Sequence, residues 1–233
     1  MGIMKVIKKI LLVVGIIVAV HVALNGINIL QNGLGGWDGR SMTAILGVPA
    51  ERGTVEDIER LSKSEVMQLF YAALVPEFAS MTGQYQAKTL SVGVMAFAVN
   101  FYTNNLFGPG HWEGKAFFPS EDDTGWGYNL FAITEAGGDP AISRTRKMDT
   151  YLGKSCIDDK DSFHLDYRPY NCGFVYSMHD EIRKINDQLY LGMGYMAAGG
   201  GPINPAPFVL YGKPDQWVGP EEKGLCSWSS LIQ

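Results

Sequence analysis

Ser162-Phe163-His164-Leu165-Asp166-Tyr167-Arg168 alternates strictly between apolar and polar side chains. In an extended strand Phe163, Leu165 and Tyr167 share one face, and His164, Asp166 and Arg168 share the other. Moving outward, Met178-His179-Asp180-Glu181-Ile182-Arg183 repeats the pattern, with Met178, Asp180 and Ile182 on one face and His179, Glu181 and Arg183 opposite. An aspartate among apolar neighbours must be paired when it is buried. Lys115 and Arg146, on other predicted strands, can supply that partner, so Lys115, Arg146 and Asp180 are expected to form a buried polar cluster.

Strands are also predicted over residues 84–92, 111–118, 126–133, 144–151, 174–185, 188–196 and 208–211. Turn-rich pieces at 119–125 and 135–140 separate some of them, and Asn186-Asp187 suits a two-residue hairpin turn. Residues 94–102 are apolar without clear alternation and read as a helix or a buried strand. With 28 glycines and a 12% aromatic share, short strands and tight turns predict a mainly β fold, an up-and-down antiparallel barrel or a sandwich.

Upstream of the strands, Ser62-Lys63-Ser64-Glu65 is a capping box, and Val66, Leu69, Phe70, Ala73 and Leu74 follow at helical spacing until Pro76. This helix is expected to plug or pack against one end of the core. Thr54 with Asp57 opens a shorter helix, and residues 32–53 read as a linker. Lys5, Lys8 and Lys9 precede an apolar run over residues 10–24 that extends to Leu30. A helix over residues 10–30 rises about 31 Å, close to the roughly 30 Å of bilayer hydrocarbon. The basic flank predicts a cytoplasmic N-terminus and a periplasmic or extracellular domain. A cleaved signal peptide is the rival reading, without a clear small-x-small site. The chain thus divides into an anchor (1–31), a linker with a short helix (32–61), a barrel domain (62–212) and an irregular tail (213–233).

A net charge of −5 with scattered basic residues opposes a nucleic-acid partner. Cys156, Cys172 and Cys226 suit one disulfide and one free thiol, and no spacing resembles a zinc or haem site. No cofactor is expected. Tyr85, Trp112, Phe117, Trp126, Tyr128 and Tyr195 are expected to line an apolar pocket, although a filled core uses the same residues. Asp180 with His164 or His179 offers acid–base chemistry, against the plainer reading of a structural salt bridge or an exposed charge ladder. Ser177, His179 and Asp166 compose a triad on paper, without a nucleophile elbow. Asp158-Asp159 and Glu121-Asp122-Asp123 read as solvated turns, and the glycines of Gly192-Met193-Gly194 as close backbone approaches.

Several segments, in order, resemble a lipocalin-like barrel family of bacteria: Thr82-Gly83-Gln84-Tyr85, Trp112-Glu113-Gly114-Lys115-Ala116-Phe117, Tyr151-Leu152-Gly153-Lys154-Ser155, and Leu165-Asp166-Tyr167. Asp180-Glu181-Ile182-Arg183 with Leu189-Tyr190-Leu191-Gly192 completes the pattern over residues 82–195. The resemblance implies an antiparallel barrel with an apolar ligand cavity and no particular reaction. The chain departs from the pattern at Tyr85, where tryptophan is usual, and in an apolar insert at 94–107. The expected function is a membrane-held, lipocalin-like barrel that binds a hydrophobic small molecule or lipid. The alternative is an accessory subunit of a respiratory or photosynthetic type of membrane complex, with His21, Asn25 and Asn28 docking to another transmembrane surface. An enzyme ranks third.

Overall fold

A computed structural model describes residues 2–33, 35–120, 123–135 and 137–221, with side chains from Met4 onward. Glu121, Asp122, Cys226 and the end of the expected tail lie outside the described residues.

Eight strands form a closed antiparallel barrel in simple sequence order, with the last paired to the first. They are β1 (Gly83–Thr89), β2 (His111–Pro119), β3 (Thr124–Thr134), β4 (Pro140–Lys154), β5 (Asp161–Asp166), β6 (His179–Asn186), β7 (Leu189–Tyr195) and β8 (Ala206–Asp215). Closure leaves no unpaired sheet edge. The segment expected as a strand from residue 174 instead opens with a 3-10 turn, Gly173–Ser177. The hairpin turn falls on Asp187-Gln188, one residue later than expected.

Among the described residues, five α-helices accompany the barrel: α1 (Gly2–Leu30), α2 (Met42–Leu46), α3 (Val55–Glu59), α4 (Lys63–Ala72) and α5 (Ala96–Asn105). Both expected capping boxes are made, Thr54 with Asp57 and Ser62 with Glu65. Helix α1 is long and apolar enough to cross a membrane over Met4–Leu30. Residues 94–102 are a turn at Val94-Met95 leading into helix from Ala96, not a buried strand, and α5 is notably exposed, with Phe97 and Phe101 open to the outside.

The barrel interior is filled at the end where β1 begins. There Phe78 packs on Phe163 at 5.4 Å and Phe163 on Phe117 at 5.4 Å, while Tyr85 meets Tyr190 edge-on at 5.7 Å. A 3-10 turn, Phe78–Ser80, plugs that end. Helix α4, expected to do so, lies along the outer wall instead. Val66, Leu69 and Phe70 pack with α2 and α3 against the outward side chains Leu191, Met193 and Val209. Residues 32–53, expected as a linker, carry α2 with Ile45 and Leu46 buried in this same cladding. The physical reason is that β7 and β8 are apolar on both faces, so their outer face needs a cover.

That cover also buries the charges expected on a solvent face. Glu181 and Arg183 are fully buried. The Arg183 guanidinium donates to both carboxylate oxygens of Asp158 at 2.6 and 2.7 Å and to the Phe70 carbonyl at 3.0 Å. Asp158 is therefore an ion-pair partner rather than a solvated turn residue. Cys172 is disulfide-bonded, and Cys156 carries a free, exposed thiol.

Candidate ligand cavity

The opposite end of the barrel is open. A cavity of about 270 Å³ lies there, with mostly apolar walls. Its floor is made by inward residues of β2, β6, β7 and β8: Trp112, Lys115, Asp180, Gly194 and Phe208. Tyr102 and Val99 of α5 form one side wall, with Phe107 just beyond the helix. His21, Asn25 and Asn28 near the end of α1 form the rim with Asn204.

Trp112 and Lys115 both face inward, although three positions apart in an alternating strand would face opposite ways. A bulge between Trp112 and Gly114 resets the phase. Lys115 and Asp180 are joined at 2.8 Å and almost fully buried. The ammonium also donates to Asn129 Oδ1 at 2.9 Å and to the Tyr167 hydroxyl at 2.6 Å. The Tyr167 hydroxyl donates in turn to Asp180 Oδ2 at 2.9 Å, and Trp112 Nε1 to Asn129 Oδ1 at 3.0 Å. The rings of Trp112, Tyr167 and Phe208 surround the Lys115 nitrogen at 5.1 to 5.3 Å. Burial pushes the Lys115 ammonium below its usual range, and Asp180 offsets this only in part. Burial also raises the Tyr167 hydroxyl, helped by the charge on Asp180.

Arg146 does not join this cluster. It sits in the left-handed region at φ 56°, at the irregularity where β4 loses register with β3, and its Nε donates to the Phe107 carbonyl at 2.6 Å. Nor does either histidine meet Asp180. His164 and His179 lie on the outer face, with His164 Nδ1 2.8 Å from His179 Nε2 and Tyr151 stacked on His164 at 4.9 Å. Burial lowers the His179 pKa, and His164 adds to this. Ser177 donates to the Phe174 carbonyl, so the paper triad is not assembled. Among the described residues, no group of three or more His, Cys, Asp or Glu is placed to hold a metal ion.

The six aromatics expected at a pocket are divided. Trp112 lines the cavity. Tyr195 borders it only at its edge, because its ring lies 5.4 Å from His179 and its hydroxyl donates to Glu181 Oε1 at 2.9 Å, both on the outer face. Tyr85 and Phe117 are inside the barrel but packed into the filled end. Trp126 and Tyr128 are on the outer face, where Trp217 of the tail covers them at 4.9 and 4.7 Å. The alternation of β3 left both faces apolar, so its phase was not fixed by sequence.

The sequence reading missed Tyr102, Val99 and Asn204. For Tyr102 and Val99 the signal was the apolar insert at 94–107, which forms the cavity wall; Asn204, in the loop before β8, had no such signal. His21, Asn25 and Asn28 of α1, expected to dock to another transmembrane surface, make their bonds within this chain. Asn28 Nδ2 donates to Asn204 Oδ1 at 2.7 Å, Asn204 Nδ2 to Asn25 Oδ1 at 2.8 Å, and His21 Nε2 lies 3.1 Å from the Ala198 carbonyl. Lys63 of α4 adds bonds to Asn28 O at 3.1 Å and Asn204 Oδ1 at 3.3 Å. Helix α1 is thereby docked onto its own barrel.

No family model matches the chain, and no curated protein sequence matches it. Among solved structures, a protein from Thermomonospora curvata is similar at 17% identity and a TM-score of 0.45, over 66% of this chain and 88% of that one. The barrel assignment rests on the strand pairing itself: an eight-stranded closed antiparallel barrel, the fold that the lipocalin resemblance implied.

Proposed function

We propose that this protein is a membrane-anchored barrel that binds a hydrophobic small molecule or lipid on the non-cytoplasmic side. The observation that carries the reading is the apolar cavity at the open barrel end, walled by α5 and rimmed by the end of α1. Its volume of about 270 Å³ lies just under the range of roughly 300–1,000 Å³ usual for small-molecule sites. Lys5, Lys8 and Lys9 in the first turns of α1 favour a cytoplasmic N-terminus. The docking of α1 onto the barrel favours an anchor that stays attached, because removing it would strip the cavity of its rim. Phe97 and Phe101 stack on the exposed side of α5, at the end of the barrel where α1 arrives. A lipid surface at that level would cover them and place the cavity mouth beside its source of ligand.

The test is to purify the full-length protein from membranes in mild detergent and to identify bound small molecules by mass spectrometry. Ala98 lines the cavity from α5, and Ala98→Trp fills the mouth. A recurrent apolar molecule bound to the wild type and depleted in this variant is the expected result. Equal amounts in both would sink the reading. Stoichiometric membrane proteins with no bound molecule would favour the accessory-subunit alternative.

A further inference from the structure

The cavity floor has one polar atom without a partner, and its chemistry specifies the ligand. The Lys115 ammonium has three N–H donors. Asn129 Oδ1, the Tyr167 oxygen and Asp180 Oδ2 take them at 2.9, 2.6 and 2.8 Å. Asn129 Nδ2 is likewise used, by the Tyr167 oxygen at 3.2 Å and the Arg146 carbonyl at 3.3 Å. Asp180 Oδ2 already accepts from both Lys115 and Tyr167. Asp180 Oδ1, by contrast, takes no hydrogen bond from any described residue, although Asp180 is only 2% exposed. It points towards Gly194 of the cavity lining, where an added Cβ would meet it at 2.8 Å. The missing side chain at Gly194 keeps that oxygen open. On the wall, the Tyr102 hydroxyl is bonded to the Met178 sulfur at 3.5 Å, a weak acceptor that a stronger one readily replaces.

Building on the proposed binding role, we infer that the cavity takes an amphiphile whose buried end is a neutral hydroxyl donating to Asp180 Oδ1, and that it rejects the anion of a fatty acid. The floor offers an incoming group an acceptor bearing negative charge, and every donor of the adjacent ammonium is consumed. A carboxylate brought to Asp180 would face a like charge in an apolar site, where screening is weak. A hydroxyl both donates and accepts, which suits Asp180 Oδ1 together with the Tyr102 hydroxyl. At roughly 30 Å³ per water-sized group, the cavity holds the hydroxyl and the near part of a tail. The remainder of the tail leaves past α5.

The experiment uses the full-length protein in phosphatidylcholine nanodiscs. Retention of radiolabelled 1-dodecanol, dodecanoate at pH 8 and dodecyl methyl ether is measured above that of empty nanodiscs. The alcohol is expected to bind roughly tenfold or more tightly than the ether or the carboxylate. The double variant Lys115→Met/Asp180→Leu removes the ion pair as a unit and is expected to bind alcohol and ether alike. Alcohol and ether binding equally to the wild type would overturn the hydroxyl assignment and leave the apolar-binder reading standing. Tighter binding of dodecanoate would make Lys115 the anchor and also overturn it. Retention of none of the three would overturn the binder reading and this inference together.

Discussion

Strand β6 carries Asp180 and Arg183, three residues apart and facing opposite ways. Asp180 points into the barrel and pairs with Lys115; Arg183 points out and pairs with Asp158 beneath α4. Both pairs are buried, but they differ in completeness. The Arg183 guanidinium spends its N–H groups on Asp158, on the carbonyls of Phe70, Asp161 and Lys160, and lies 4.3 Å over the Phe70 ring. Nothing is left for a ligand, and Arg183 is not part of the cavity lining. The Lys115 pair leaves one carboxylate oxygen open beside empty space. A buried charge with every bond made inside the chain holds structure together, whereas one with a bond in reserve beside a cavity marks a site.

The largest expected effect comes from breaking the complete pair. Arg183→Met strands Asp158 and the Phe70 carbonyl and is expected to cost about 3–5 kcal/mol. At roughly 2–4 °C per kcal/mol for a chain of this size, thermal unfolding of the full-length protein in detergent should fall by about ten degrees. A change of less than about 1 kcal/mol would end the distinction drawn between the pairs.

Lys115→Met alone leaves Asp180 unpaired and should cost nearly as much, about 3 kcal/mol. Lys115→Met/Asp180→Leu should recover to within about 1 kcal/mol of the wild type, which the same melting measurement reads. A double variant as unstable as the single would mean that the pair is structural, like the one at Arg183.

Trp217→Ala strips the ring that covers Trp126 and Tyr128 on the outer face. About 1–2 kcal/mol of stability should be lost, less than for a fully buried tryptophan, with retention of 1-dodecanol unchanged. A change in that retention would connect the outer face to the cavity.

The effect read only as a slope against pH concerns a third buried cation, Lys63, which has no carboxylate partner among the described residues. Burial holds Lys63 down to about 8, from 10.5 unfolded. Between those values the unfolded chain binds more protons, so stability from this group rises as pH climbs from about 8 to about 10.5 and is flat below. Melting curves of the wild type and Lys63→Met across that range should therefore diverge in slope, with the variant flatter. Parallel curves would show that Lys63 is not desolvated in the folded protein.

The strands were legible where one face is apolar and the other polar. Phe163, Leu165 and Tyr167 point inward with Asp180, as alternation required. Alternation failed where both faces are apolar: Trp126 and Tyr128 share a face with Leu130, which the tail covers through Trp217. It failed again at bulges, which have no residue signature here, since the left-handed position in β4 is held by Arg146 rather than glycine. Charge balance demands a cation for Asp180 and left Lys115 and Arg146 as candidates; the bulge that sets strand phase brings in Lys115. The cavity itself was only half legible. Its floor follows from strand phase, but its rim and wall come from α1 and α5, which meet the barrel through contacts far apart in sequence.

The bonds that join Asn28, Asn204 and Lys63 have a mechanical consequence. A domain on a floppy tether samples every tilt and height above its support. Here the last turns of α1 are bonded to the loop before β8, which couples the orientation of the barrel to that of the helix. On the anchored reading proposed above, the direction in which the cavity mouth points is then set by how that helix stands, and the protein has a fixed aim in place of reach.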